Sequence, residues 1–124
     1  MKKIIIADDS GTARMFIKRC LQIIGLGDAE IREAVDGREA YEQAKDDPPH
    51  LLITDLNMPN MDGEGLLKRV KASPKLCTIP VLVVTSAGNP AREEVLIGMG
   101  ALRVLHKPVS PAVMVEALSE FIDD

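Results

Sequence analysis

Three aspartates, a threonine and a lysine stand where apolar runs of this chain stop. Asp8 and Asp9 follow "KIIIA", Asp55 follows "HLLIT", Thr85 closes "PVLVVT", and Lys107 follows "LRVLH". Carboxylates gathered at one place repel. Two of them at about 4 Å cost on the order of 4 kcal/mol at an effective dielectric of 20. A proton or a cation must compensate. A hard, oxygen-seeking Mg²⁺ suits them best, because it takes one or two carboxylates, a carbonyl, waters and phosphate oxygens. Lys107 adds an ammonium and Thr85 a hydroxyl donor. Cation, ammonium and hydroxyl together can neutralise and orient a phosphoryl group. Asp55 would then be the nucleophile, forming an acyl phosphate. Each residue alone has a plainer reading. Aspartates commonly cap helices, lysines are commonly solvated, and threonine suits a strand. The coincidence at four strand ends favours the functional reading.

Those ends have to be brought together, and the pattern of the chain says how. Five β-like runs (3–7, 29–35, 50–54, 80–85 and 102–106) alternate with five helix-like segments. Runs 1, 3 and 4 are continuously apolar, as in strands covered on both faces. Runs 2 and 5 carry Glu30, Arg32, Glu33 and Arg103, which suits sheet edges. Strict alternation implies a parallel sheet with right-handed crossovers and helices on both faces. The expected fold is α/β: a three-layer, doubly wound (βα)5 unit with strand order 2-1-3-4-5. In such a sheet, functional groups gather beyond the carboxyl ends of the strands, at the switch point between strands 1 and 3.

The helices offer apolar faces at helical spacing. These are Ala13, Ile17, Cys20, Leu21 and Ile24 in the first, Ala40, Tyr41 and Ala44 in the second, and Leu66, Leu67 and Val70 in the third. In the fourth, Ala91, Val95, Gly98 and Met99 are expected inside and Ile97 outside. In the fifth helix, Met114, Ala117, Leu118 and Phe121 fall at helical spacing. Asn89-Pro90 and Ser110-Pro111 mark two helix starts, and Gly25 and Gly27 can stop the first helix. Asp36 and Asp62, each before glycine, read as turn or cap residues. His106 should point away from Lys107 by strand alternation, and His50 falls on the opposite rim.

Composition narrows the classes. The chain has 124 residues, which fits one domain over 1–124, and 46% hydrophobic with 27% charged residues is a globular composition. A formal net charge of −4 argues against a nucleic-acid or anionic-membrane surface. Aromatics make up 2% with no Trp, so platforms for stacking bases or flavin rings are nearly absent. Cys20 and Cys77 have no metal-type spacing, and two lone cysteines suit a reducing compartment. "MKKIII" is too short for a signal peptide, and no apolar run reaches membrane-spanning length. A cytoplasmic protein is expected.

The pieces "IIIADDS" (4–10), "LLITDLNMPNMDG" (51–63), "VLVVTS" (81–86) and "GALRVLHKP" (100–108) resemble the receiver domains of two-component response regulators, the CheY-like proteins. The resemblance covers essentially the whole chain. It implies a flavodoxin-like sheet and a regulatory protein that catalyses only its own phosphorylation and dephosphorylation. It implies that Asp55 accepts phosphate from a sensor-kinase histidine or a phosphotransfer protein. Asp8, Asp9 and Asp55 would bind Mg²⁺, with the backbone carbonyl of Asn57 as a further ligand. Thr85 would hydrogen-bond a phosphoryl oxygen, and Lys107 would pair with the phosphoryl group. Lys107-Pro108 resembles the family's cis-peptide position. One position departs from the pattern: the family often has Tyr or Phe three residues before the final-strand lysine, and here Val104 stands there. Output is then expected through the face of helix 4, strand 5 and helix 5, with the loop 86–91 and its Gly88 as hinge. The downstream protein is not named by the sequence, and with no output domain after helix 5 the chain reads as a single-domain regulator.

Two other classes fit these residues less well. A Mg²⁺-dependent phosphohydrolase with an aspartyl-phosphate intermediate wants a second acid two residues after the nucleophile, or a cap domain. Asn57 fills that position and no cap insertion is present. A flavodoxin-like small-ligand binder wants a hydroxyl- and glycine-rich phosphate loop after strand 1, where "DDSGT" puts two carboxylates.

Overall fold

A computed structural model describes residues 2–86 and 89–122. Its centre is a parallel sheet of β1 (Lys3–Ala7), β2 (Glu30–Ala34), β3 (Leu51–Thr54), β4 (Val81–Thr85) and β5 (Arg103–His106), in the order β2-β1-β3-β4-β5. This is the expected order. The apolar strands β1, β3 and β4 hold the middle, and the charged β2 and β5 hold the edges. In-register pairs such as Ile5 with Leu52 and Ile53 with Leu82 align the strands so that their carboxyl ends lie side by side.

Side-chain alternation splits the core into two layers. Ile5, Ala7, Leu52, Val81 and Val83 face one side, against α2 (Gly37–Asp46), α3 (Gly63–Ala72) and α4 (Pro90–Gly98). Ile4, Ile6, Leu51, Ile53, Leu82 and Val84 face the other, against α1 (Gly11–Leu21) and α5 (Pro111–Ala117). The buried faces of the first three helices follow the expected spacing, with Ile17, Cys20, Leu21, Ala40, Ala44, Leu66, Leu67 and Val70 all inside. Each fully buried aliphatic side chain contributes roughly 1.5–3 kcal/mol of transfer free energy. Two such layers give the sheet a stiff floor beneath its carboxyl-terminal edge.

Caps define the helix starts, at Asp36, Asp62, Asn89 and Ser110 as read from sequence and at Ser10 as a finding of the structure. Ser10, Asp36, Asp62, Asn89 and Ser110 each accept a backbone N–H from three residues on. The first helix ends by widening into a π-type turn over Gln22–Leu26, in which Gly25 takes φ 103°, a backbone region that glycine enters freely.

Two expectations need correction. The inner face of α4 is not Ala91, Val95 and Gly98. Leu96 is the buried residue, Met99 is half-buried, and Val95 is 54% exposed. Successive helical residues turn by about 100°. A face centred on Leu96 therefore throws both Val95 and Ile97 outward, and Ile97, as expected, is 47% exposed. The longer Leu reaches the core beside the edge strand, and the sequence window offered both faces. The second correction concerns the final helix. It breaks at Leu118 (φ −110°, ψ 15°) and resumes as the short α6 (Ser119–Ile122). Burial of both Met114 and Leu118 on the sheet still satisfies the apolar spacing.

Candidate functional site

Beyond the strand ends, the backbone ladder runs one step further at each site residue. Asp8 N–H donates to Ala34 O (3.0 Å), Asp55 N–H to Ala7 O (2.9 Å), and Lys107 N–H to Thr85 O (3.0 Å). The two acids and the lysine are thus fixed by sheet bonds to neighbouring strands, before their side chains make any contact.

Those side chains converge. Lys107 Nζ lies 2.7 Å from Asp8 Oδ2 and 3.3 Å from Asp55 Oδ2. The other oxygen of each acid is held by backbone: Asp8 Oδ1 accepts from Ser10 N–H at 2.9 Å, and Asp55 Oδ1 from Leu56 N–H at 2.7 Å. Asp8 is 1% exposed and Asp55 8%, whereas Asp9 is exposed at the rim. One carboxylate oxygen from each of Asp8, Asp9 and Asp55 lies within 4.8 Å of the other two. Burial pulls the Lys107 ammonium down, but the Asp8 hydrogen bond and the charges of Asp55 and Asp8 outweigh it and hold its pKa above the ordinary value.

Thr85 is fully buried at the end of β4, next to the strand that delivers Lys107. Asn57 is exposed in the loop just after Asp55. That loop is tied down at several points. Gly63 N–H donates to Leu56 O (2.9 Å), and a Cβ at Gly63 would collide with the Asp55 carbonyl oxygen, so the close return of the chain requires glycine. Asn60, at φ 65°, donates from its side-chain amide to Asp36 Oδ2 (2.6 Å), and Gly37 N–H donates to Met61 O (2.9 Å). The Glu39 N–H and then the Asn60 amide hold the Asp36 carboxyl below the usual carboxylate range.

The donor set fits a hard divalent cation. All three side chains offer oxygen, two are buried, and their spacing lets one ion reach all three, which suits Mg²⁺ far better than a thiolate- or imidazole-seeking metal. The Lys107-Pro108 peptide is cis, as expected. His106 turns away, with Nε2 3.1 Å from Glu93 Oε2 of α4. His50 serves the far rim, its Nδ1 accepting from Lys3 N–H at 2.9 Å. Cys20 is a buried free thiol and Cys77 an exposed one.

Sequence reasoning passed over Arg14, whose guanidinium reaches the Asp8 carbonyl, and Asn60, which bolts the loop to α2. Arg14 did leave a signal: a cation in the first turns of a helix sits at the unfavourable end of the helix dipole and calls for a partner. Gly88, expected as a hinge, lies outside the described residues. Among the described residues no helix is long and apolar enough to cross a membrane.

Comparison with known proteins follows the same lines. The family model "Response regulator receiver domain" matches residues 4–119. The chain is 36% identical over 121 residues to a chemotaxis protein CheY homolog of Campylobacter jejuni, covering 97% of this chain and 92% of that one. It is 36% identical over 117 residues to chemotaxis protein CheY1 of Helicobacter pylori, covering 94% and 93%. Among solved structures, chemotaxis protein CheY4 of Vibrio cholerae superposes with a TM-score of 0.84 at 31% identity, covering 97% of this chain and 98% of that one.

Proposed function

The chain belongs to the response regulator receiver domain family, and from that premise we propose that Asp55 is its phosphoacceptor, working with Mg²⁺, Thr85 and Lys107. It is a CheY-like protein of phosphorylation-dependent signalling. The observation that carries the residue assignments is the convergence of the Asp8 and Asp55 carboxylates on one ammonium, with Asp9 within reach of both.

Asp55 has one oxygen pinned by Leu56 N–H and the other beside the Lys107 ammonium. That second oxygen attacks the phosphorus of a phosphohistidine on a sensor kinase or phosphotransfer protein. The new P–O bond forms as the P–N bond breaks, and the donor imidazole leaves with the electron pair. Lys107 Nζ, already between the acids, is placed to follow the incoming negative charge. The Thr85 hydroxyl, at the adjacent strand end, supplies a hydrogen bond to a phosphoryl oxygen. Asp8, Asp9 and Asp55, with the Asn57 carbonyl, would hold Mg²⁺, which when bound supplies charge compensation for the carboxylates and the phosphoryl oxygens. On this reading residues 1–124 serve as one cytoplasmic receiver domain whose phosphorylation alters its contacts with a downstream protein.

The test is direct. Acetyl phosphate with Mg²⁺ should label the wild-type chain on one residue. Asp55→Asn, which keeps the shape and removes the nucleophile, should take up none. Undiminished label on Asp55→Asn would sink the assignment.

A further inference from the structure

Asp9 is the one acid of the cluster whose direction is not explained by its own contacts. Its carboxylate is exposed and makes no hydrogen bond or ion pair among the described residues, yet it lies within 4.8 Å of Asp8 and Asp55. Asp8, by contrast, is held at every polar atom. Its N–H goes to Ala34 O of β2, its Oδ1 to Ser10 N–H, and its Oδ2 to Lys107 Nζ. Its carbonyl oxygen accepts from Arg14 Nη1 at 2.6 Å.

That last bond acts on Asp9. The Asp8 carbonyl belongs to the peptide unit that leads into Asp9, and the unit is planar. Fixing the oxygen fixes the Asp9 N–H and Cα with it. Arg14 is itself anchored, because its Nε donates to Glu33 Oε1 of β2 at 2.9 Å and its side chain is only 17% exposed. A planar guanidinium carries its donors on separate nitrogens in a fixed fork, which lets Nε and Nη1 serve two separated acceptors in one set geometry; a lysine has all its donors on one flexible nitrogen. The brace joins β2, the turn after β1, and α1. We propose that Arg14 is a positioning residue: it sets the Asp8–Asp9 peptide plane and so aims Asp9 into the acid cluster. The inference rests on the Mg²⁺ reading above only for its effect on metal affinity.

Charge and positioning predict opposite signs, which separates them. As a bare positive charge near three acids, Arg14 would oppose a cation, and its removal would tighten Mg²⁺ binding. As a brace, its removal loosens Asp9 and weakens binding. Calorimetric Mg²⁺ titration of the purified chain should give an Arg14→Met dissociation constant raised about tenfold, the scale seen when groups supporting a metal ligand are lost. Arg14→Lys should recover part of the loss, since lysine can reach the carbonyl without the fork. Glu33→Gln, which retains an acceptor for Nε, should stay within about twofold of wild type, below the effect of losing such a group outright.

Unchanged or tighter binding in Arg14→Met overturns the proposal. So does weakening that merely tracks a fall in the melting temperature of the metal-free protein, because that is a plain structural role. Should Arg14→Met fold poorly, Arg14→Lys still decides, because it keeps the charge: the charge reading then predicts unchanged binding, and the brace predicts binding weaker than wild type. A readout independent of metal is the Asp9 amide cross-peak in metal-free ¹H–¹⁵N spectra, which should shift and broaden in Arg14→Met; an unmoved peak overturns the proposal. If the wild-type chain takes up no Mg²⁺, the metal reading fails, and the Asp9 amide still decides the role of Arg14.

Discussion

Lys107 shows how one side chain can tie the proposed phosphoryl chemistry to stability. It neutralises two acids, one of them almost fully buried, from just beyond the end of β5, 99 residues along the chain from Asp8, and its ammonium sits 2.7 Å from Asp8. Removing it leaves Asp8 buried without a cation. Lys107 keeps some solvent contact, which screens the loss, so Lys107→Ala should cost the metal-free protein about 1–3 kcal/mol at neutral pH, read by urea unfolding. Mg²⁺ should restore part of it. The sign of the pH dependence follows from the raised pKa. The contribution of Lys107 is whole below its ordinary value of 10.5 and is lost as pH rises through the higher folded value. The gap between wild type and Lys107→Ala should therefore stay level across neutral pH and close only in the alkaline range. A gap that closes near neutrality would mean that Lys107 is not the group responsible.

Elements hold the site through loops as much as through strands. The segment after β3 is latched to the start of α2 by Asn60 Nδ2 to Asp36 Oδ2 (2.6 Å), while Asp36 Oδ1 caps α2 by accepting from Glu39 N–H (2.8 Å). Asp36→Ala removes both bonds and should cost about 1–2 kcal/mol in chemical unfolding. Because the Asp36 pKa is depressed, that contribution is present above the ordinary value of 3.8 and lost as pH falls through the lower folded value. The two proteins should converge in strong acid. Helix α4 is held more lightly, by Leu96, by Arg92–Glu64 (2.8 Å) and by Glu93–His106 (3.1 Å). On the proposed reading, with Val104 too short to swing as an aromatic ring would, a phosphorylation signal would move backbone instead. Adding beryllofluoride and Mg²⁺ should produce large NMR changes over residues 86–99 and modest ones at Val104. Quiet spectra over 86–99, with activation-dependent partner binding intact, would rule this relay out.

At the scale of the molecule, folding forces three carboxylates together, and the sheet cannot relax to separate them because its core is packed on both faces. The fold therefore carries a repulsion that a cation relieves. Mg²⁺ at 100 times its dissociation constant should stabilise the protein by about 2.7 kcal/mol, or roughly 10 °C in melting temperature for a chain of this size. Chelator should reverse the shift. Asp9→Ala should lose most of it, while its metal-free form melts at or above the wild-type temperature. A marked fall in metal-free melting for Asp9→Ala would make that residue chiefly structural.

The sequence alone determined the strand order, the edges and the placement of acids, threonine and lysine at strand ends. It could do so because those features are local: apolar runs of strand length, caps before prolines and glycines, and a parallel sheet that aligns every carboxyl end. Asp36 and Asp62 were legible as caps for the same reason. Tertiary structure decided the rest, where two local patterns were equally good or where partners were distant. The sequence window of α4 fitted a face on Val95 as well as one on Leu96, and only contact with the sheet chose Leu96. The reach of Arg14 to both Asp8 and Glu33, and of Asn60 to Asp36, depends on how far apart three turns come to rest, which no spacing along the chain encodes.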